Sequence, residues 1–163
     1  YRNRREPTPA VPGKDFQSWA RTHSACYVEK ILGTGCMTSE DGSPVLGGIS
    51  RARARQTVVS RMQRFGFIGL QGHWATTVCL FHAMFGGKCL SEGFGRLRSG
   101  PQRKGSEVYN TTTWGIDDYD SMDIDAYSVA QELFWSNVVR YGVHRRRCQE
   151  LCPEAAKHFE VAD

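Results

Sequence analysis

The sequence predicts a mainly α-helical chain with one or few short strands (α+β), braced by disulfides. Three observations carry that expectation. Apolar residues recur at helical spacing in several segments, most clearly between Ile124 and Tyr141. Only one short run, Phe65-Gly66-Phe67-Ile68-Gly69-Leu70, is apolar without polar alternation, as a buried strand should be. The cysteines number six, an even count that favours a disulfide framework in an oxidising compartment. At 163 residues, 40% hydrophobic and 23% charged with a formal charge of +4, the chain has the apolar content for a real core. Disorder of the whole and a histone-like polycation are thereby excluded.

Residues 1–16 read as an extended basic arm. Arg2, Arg4, Arg5 and Lys14 outnumber Glu6 and Asp15, and Pro7, Pro9 and Pro12 favour a polyproline-like path over helix or sheet. A helix is expected from Phe16 to about Leu32, with Phe16, Trp19, Ala20, Val28, Ile31 and Leu32 on a broken stripe. Gly33, Gly35, Gly42, Gly47 and Gly48, with Pro44 among them, mark a loop. Ser50 is placed to cap a helix from Arg51 to Arg64 whose apolar positions are Val58, Val59, Met62 and Phe65. Arg51 and Arg55 share a face of it, with Arg61 and Arg64 further on; a solvated face is the plainer reading and an anion-binding stripe the sharper one.

After the strand candidate, a helix from His73 to Phe85 has Trp74, Val78, Phe81 and Phe85 as its apolar face, and Gly86-Gly87 ends it. His82 lies beside that face and reads as a core histidine. Ser91 to Gly115 is a long loop carrying the glycosylation sequon Asn110-Thr111-Thr112. Asp117, Asp118, Asp120, Asp123 and Asp125 do not fit a calcium loop, which needs a glycine at its sixth position and a terminal Glu. Their expected role is capping, with Asp123 or a neighbour at the positive end of the following helix. That helix runs from about Ile124 to Tyr141 on the stripe Ile124, Tyr127, Ala130, Phe134, Val138 and Tyr141, and Gly142 closes it. Val143 to Asp163, basic then acidic, reads as a charged surface tail. The expected organisation is therefore an arm at 1–16, a helical domain at 17–142 and a tail at 143–163.

Cys26, Cys36, Cys79, Cys89, Cys148 and Cys152 allow 15 connectivities. Their intervals of ten, ten and four residues point to local pairs, Cys26–Cys36, Cys79–Cys89 and Cys148–Cys152. A ten-residue loop closed this way contributes roughly 2–3 kcal/mol in the chain-entropy model. Reduced cysteines packed as small hydrophobes are the plainer alternative. A zinc site is weaker: no Cys-x-x-Cys occurs, and His144, Cys148 and Cys152 form only a partial ligand set.

The chemistry-bearing motifs are largely missing. Neither Gly13-Lys14 nor Gly87-Lys88 belongs to a phosphate-binding loop, and no nucleophile elbow, zinc-protease helix or dinucleotide fingerprint appears. Cys79 and His82 lie three apart on one helix as a conceivable thiol–imidazole pair, but an apolar face and a disulfide argue against a thiolate there. The longest nearly apolar stretch, Thr77 to Phe85, is about half of what crosses a bilayer, so no transmembrane segment is expected. The chain starts at Tyr1 with no signal or transit peptide, as expected of a processed form or a segment of a longer protein.

One stretch carries a resemblance. Phe67-Ile68-Gly69-Leu70, then Trp74, then Val78-Cys79-Leu80-Phe81-His82-Ala83-Met84-Phe85-Gly86-Gly87, resembles the carboxy-terminal region of a sulfotransferase-like family abundant in marine algae, and more distantly the heparan-sulfate 6-O-sulfotransferases. Lys30-Ile31-Leu32-Gly33 with Cys36 upstream, and Asp123 to Phe134 downstream, are similar to the flanking family segments, so the resemblance spans about 26–142. It departs at Gln71-Gly72, where the family usually has Thr-Glu. The resemblance implies a truncated sulfotransferase-like fold that lacks the cofactor-binding half, because the strand–loop–helix that cradles the phosphosulfate lies upstream in the family and the Pro-rich arm cannot supply it.

The expected function is then a non-catalytic structural or interaction subunit of a larger assembly, built on a sulfotransferase-like remnant. The algal resemblance makes a photosynthetic supercomplex in the plastid (thylakoid) lumen one candidate. The alternatives are the carboxy-terminal part of a sulfotransferase using 3′-phosphoadenosine 5′-phosphosulfate, and a secreted binder of sulfated glycans. Protein subunits are the expected partners, with no nucleic acid and at most peripheral attachment to a membrane complex. Arg2, Arg4, Arg5, Arg145, Arg146 and Arg147 are the candidate partner-binding residues and Asn110 the candidate glycosylation site. No catalytic, cofactor or metal residue is assigned, and the compartment is plastid lumen or secretory and extracellular space.

Overall fold

The computed structural model describes residues 24–36, 46–90 and 121–158, and these are mainly helical, with no strand among them. In order they form α1 (Cys26–Leu32), α2 (Arg51–Met62), a 3-10 turn (Gln71–His73), α3 (Trp74–Phe85), α4 (Ser121–Arg140), α5 (Arg145–Leu151) and α6 (Pro153–Ala156). The chain divides into two compact units, one of Tyr1–Val58 with Val108–Ala126, the other of Val59–Glu107 with Tyr127–Asp163.

In the first unit α1 is short, and its ends are held by named groups. Seven residues are too few to be stable by propagation alone. Gly33, with φ 82°, terminates it, and the Thr34 amide and hydroxyl both donate to the Glu29 carbonyl at 3.0 and 3.1 Å. Its amino end opens on Ala25, which is buried and has φ 58°, and Ala25 offers no side-chain cap. The cap comes from far along the chain. The Asp123 carboxylate accepts from the Tyr27 amide at 3.0 Å and from the Val28 amide at 2.9 Å. Asp123 lies in the first turn of α4, the positive end where the sequence places it or a neighbouring carboxylate, but the amides it caps are those of α1, because two converging amides satisfy a buried carboxylate.

The Cys26–Cys36 disulfide ties the start of α1 to the loop behind it, with Cα atoms 4.6 Å apart. The helix expected from Phe16 does not run through to Leu32 unbroken: Ser24 and Ala25 form a turn, with Ala25 at φ 58°, and α1 begins only at Cys26, while residues 1–23, the basic arm among them, lie outside the described residues. On α2 the Ser50 hydroxyl accepts from the Arg53 amide at 3.3 Å, the expected cap. Ala54, Val58 and Met62 are its buried positions, four apart, and Phe65, placed on that stripe by periodicity, is exposed beyond the helix end.

The second unit holds one contiguous core of Leu70, Ala75, Cys79, Leu80, Phe134, Val138, Val143, Cys148, Cys152, Ala155 and Ala156. Helix α3 packs against α5 and α6, and the small side chains Ala75, Ala155 and Ala156 admit close approach. Two disulfides cross this interface, Cys79–Cys148 and Cys89–Cys152, with Cα separations of 5.5 and 5.2 Å. The local pairs Cys79–Cys89 and Cys148–Cys152 are therefore not formed. Cys148 lies on α5 and Cys152 is the residue that ends it, four further on, with its amide still bonded to the Cys148 carbonyl, and each reaches across to a different cysteine of the α3 segment.

Three further expectations are corrected here. The 65–70 segment is extended but pairs with no strand; its end is held by the side chain of Thr77, whose Oγ1 accepts from the Leu70 amide at 2.9 Å and donates to the Leu70 carbonyl at 3.0 Å. The charged tail at 143–163 is, through residue 158, the pair of helices that closes the core: His144 Nδ1 caps α5 by accepting from the Arg147 amide at 3.3 Å, and Pro153 opens α6. Of the stripe read as the apolar face of α3, Trp74, Phe81 and Phe85 are exposed and only Val78 packs against the core, which Ala75, Cys79 and Leu80 fill instead.

Candidate interaction surface

The outward face of α3 follows from which residues its disulfide commits inward. Cys79 must reach Cys148, and Thr77 must reach back to Leu70, which fixes the rotation of the helix. Phe81 and Phe85 then lie on the opposite side, with Val78 half-buried at the flank of the core. Phe81 is 44% exposed and Phe85 56% exposed, with their ring centroids 5.1 Å apart. Phe67, carried by the extended segment, completes a triad at 5.4 Å edge-on to Phe81 and 6.2 Å from Phe85.

Close approach of the extended segment to α3 requires glycine at 69, where a Cβ would collide with the Thr77 methyl and sit 3.1 Å from the Phe67 ring. Phe65, two residues before Phe67, is 50% exposed. No Asp, Glu, Lys or Arg lies anywhere on α3, so this edge is apolar and uncharged apart from His82, whose Nδ1 is 3.1 Å from the Gly86 carbonyl. Gly86 and Gly87, both with positive φ, stop the helix directly after Phe85.

The predicted charged sites fare differently. Arg145, Arg146 and Arg147 are exposed at the start of α5, but Arg146 and Arg147 both meet Glu150, at 3.9 and 3.4 Å. One carboxylate thus neutralises part of the cluster. On α2 Arg55 pairs with Asp125 at 3.2 Å, and Arg64 donates to Ser60 Oγ at 3.4 Å. Arg2, Arg4, Arg5, Asn110, Asp117, Asp118 and Asp120 lie outside the described residues.

All six cysteines are disulfide-bonded, so Cys79 with His82 is no thiolate pair and His144, Cys148 and Cys152 are no zinc set. Among the described residues no group of His, Cys, Asp or Glu is arranged to hold a metal ion, and no helix is long and apolar enough to cross a membrane. Periodicity found the Phe81–Phe85 stripe but not its direction, and missed Phe67 as part of the same surface. The available signal was a helix with no charge on any face, since such a helix has more apolar surface than one core contact uses.

Fold and surface together define a disulfide-braced helical protein with an apolar aromatic edge. In comparisons with known proteins, no family model, no curated protein and no solved structure matches this chain.

Proposed function

We propose that this chain is a non-catalytic interaction subunit of a larger assembly, docking through the aromatic edge formed by Phe67, Phe81 and Phe85. The exposure of that edge is the observation that carries the reading. Scattered single apolar residues are ordinary on protein surfaces, whereas a contiguous aromatic patch marks an interface, where such side chains are enriched. The Cys79–Cys148 disulfide beneath α3 and the Cys89–Cys152 disulfide just past its end support it further, because a surface held rigid before binding loses less conformational entropy on association. Three disulfides fit an oxidising compartment. Within that class, the algal sulfotransferase-like resemblance is our ground for proposing the plastid lumen, beside a photosynthetic complex. The Glu150 pairs weigh against a sulfated-glycan site on α5, since partly neutralised arginines offer an anionic polymer less charge.

The test is native-gel migration of the tagged chain in extracts of its own cells, with and without the substitutions Phe81→Ser and Phe85→Ser. The wild-type chain is expected in a large species and the double variant at its free size. Unchanged migration of the double variant, with its disulfides intact, refutes the reading.

A further inference from the structure

We infer that Cys26–Cys36 is a redox switch: a dithiol reductant opens this disulfide ahead of the other two, and its state controls helix α1. The inference goes beyond the docking reading above and does not depend on the aromatic edge. Thiol–disulfide exchange requires an attacking thiolate to reach one of the two sulfurs, so access decides which bridge reacts first. The three bridges differ in access. Cys79, Cys148 and Cys152 are each 0% exposed, inside the core of the second unit, and Cys89 is half-buried. Cys36, by contrast, is exposed and Cys26 half-buried. Attack on Cys89 does not evade the core, because it expels Cys152 as a thiolate among apolar side chains, where an unpaired charge is costly. Opening either core bridge therefore requires the packing of α3 on α5 and α6 to open as well. The Cys26–Cys36 bridge joins residues ten apart, so its opening is local. A loop that short also restrains the unfolded chain less than loops of 69 and 63 residues do.

The reaction is two exchanges. One thiolate of the dithiol attacks Cys36 Sγ, the S–S bond breaks, and Cys26 leaves with the electron pair and takes a proton from water. The second thiol of the reductant, deprotonated in turn, attacks the mixed disulfide and releases Cys36. Two electrons and two protons have then passed to the protein, and the reductant is left as a disulfide. Helix α1 is the element that responds. Its seven residues are below the length at which a helix stands alone in water, and Cys26 is the first of them. The bridge ties that residue to Cys36, three residues past the Gly33 that ends the helix, while Asp123 holds the next two amides. Reduction removes the covalent part of this clamp. Helix α1 carries Tyr27, 70% exposed, with the Lys30 ammonium 5.9 Å from its ring centroid, so the oxidised chain presents this pair in a fixed helical geometry and the reduced chain loses it.

The experiment equilibrates the full oxidised chain in dithiothreitol buffers of rising reduced-to-oxidised ratio, alkylates the free thiols and maps them by mass spectrometry. Cys26 and Cys36 are expected to be alkylated at a ratio roughly tenfold or more below that needed for the other four. In that window hydrogen exchange at the Tyr27, Val28 and Glu29 amides should quicken roughly tenfold or more, while the α3 amides keep their oxidised-state rates. Cys26→Ser with Cys36→Ser should reproduce the fast exchange without reductant. Opening of Cys79–Cys148 or Cys89–Cys152 at the same or a lower ratio overturns the selectivity. Unchanged exchange on α1 in the wild-type chain once Cys26–Cys36 is open, or in the folded serine variant, overturns the control of α1. The wild-type chain carries both readouts, so the outcome stands even if the serine variant does not fold.

Discussion

Replacing Asp123 by alanine tests the long-range cap on α1. In the wild-type chain one carboxylate, 8% exposed, accepts two first-turn amides donated from 95 and 96 residues away. Removing it leaves the part-buried Tyr27 amide and the buried Val28 amide without that acceptor. A lost capping side chain costs about 0.5–2 kcal/mol, and hydrogen bonds to a charged group lie at the upper end of the scale, so about 2 kcal/mol is expected. Because the chain has two compact units, a single global unfolding midpoint can miss a loss confined to one of them. Hydrogen exchange read at the Tyr27 and Val28 amides is the direct assay, and about 2 kcal/mol corresponds to exchange roughly 30-fold faster there. Asp123→Asn, which keeps one acceptor oxygen, should fall between, at about 1 kcal/mol. Exchange at both amides equal to wild type in Asp123→Ala would refute the cap as the determinant of α1.

Thr77→Val keeps the shape of the side chain but strands the Leu70 amide and carbonyl, so denaturant titration should show a loss of about 1–3 kcal/mol, largely restored in Thr77→Ser. Removing Cys89–Cys152 by paired alanine substitution should cost about 3 kcal/mol, less than a loop of 63 residues implies in isolation, because Cys79–Cys148 already holds the neighbouring chain; thermal melts of the oxidised variant measure it. Breaking the exposed Arg55–Asp125 pair with Asp125→Ala should change stability by less than about 1 kcal/mol, a difference that shrinks as salt is added, as urea titrations at two ionic strengths will show.

The helix boundaries were largely legible because they are written in local chemistry. Ser50 caps α2, Gly86 and Gly87 stop α3, and Gly142 with φ 60° ends the turn after α4. The faces were less so. Helix α3 is apolar on both sides, one carrying Ala75, Cys79 and Leu80 and the other Phe81 and Phe85, and a 3.6-residue period cannot say which of two apolar stripes is buried. The covalent partner of Cys79 decides it, and that partner is 69 residues away. Long-range pairing also explains the other differences. A carboxylate in an acidic run signals a helix end without saying whose, which is how Asp123 comes to serve α1. A basic and acidic carboxy-terminal run hides the periodic Cys148, Cys152, Ala155 and Ala156 that α5 and α6 bury. The 65–70 segment has strand composition, yet the Thr77 hydroxyl satisfies its last residue and no ladder is needed.

The crossed connectivity has a bearing on how the chain survives cleavage. Cys79 and Cys89 lie on one side of the 90–147 stretch and Cys148 and Cys152 on the other, and each bond spans it. A protease that cuts anywhere in that stretch produces two fragments still joined by two covalent bridges, so the molecule keeps its mass and separates only under reducing agents. Had the cysteines paired with their nearest neighbours, the same cut would have released two independent pieces. Processing within this stretch is thus invisible on a non-reducing gel, and the packed arrangement of α3, α5 and α6 outlasts it.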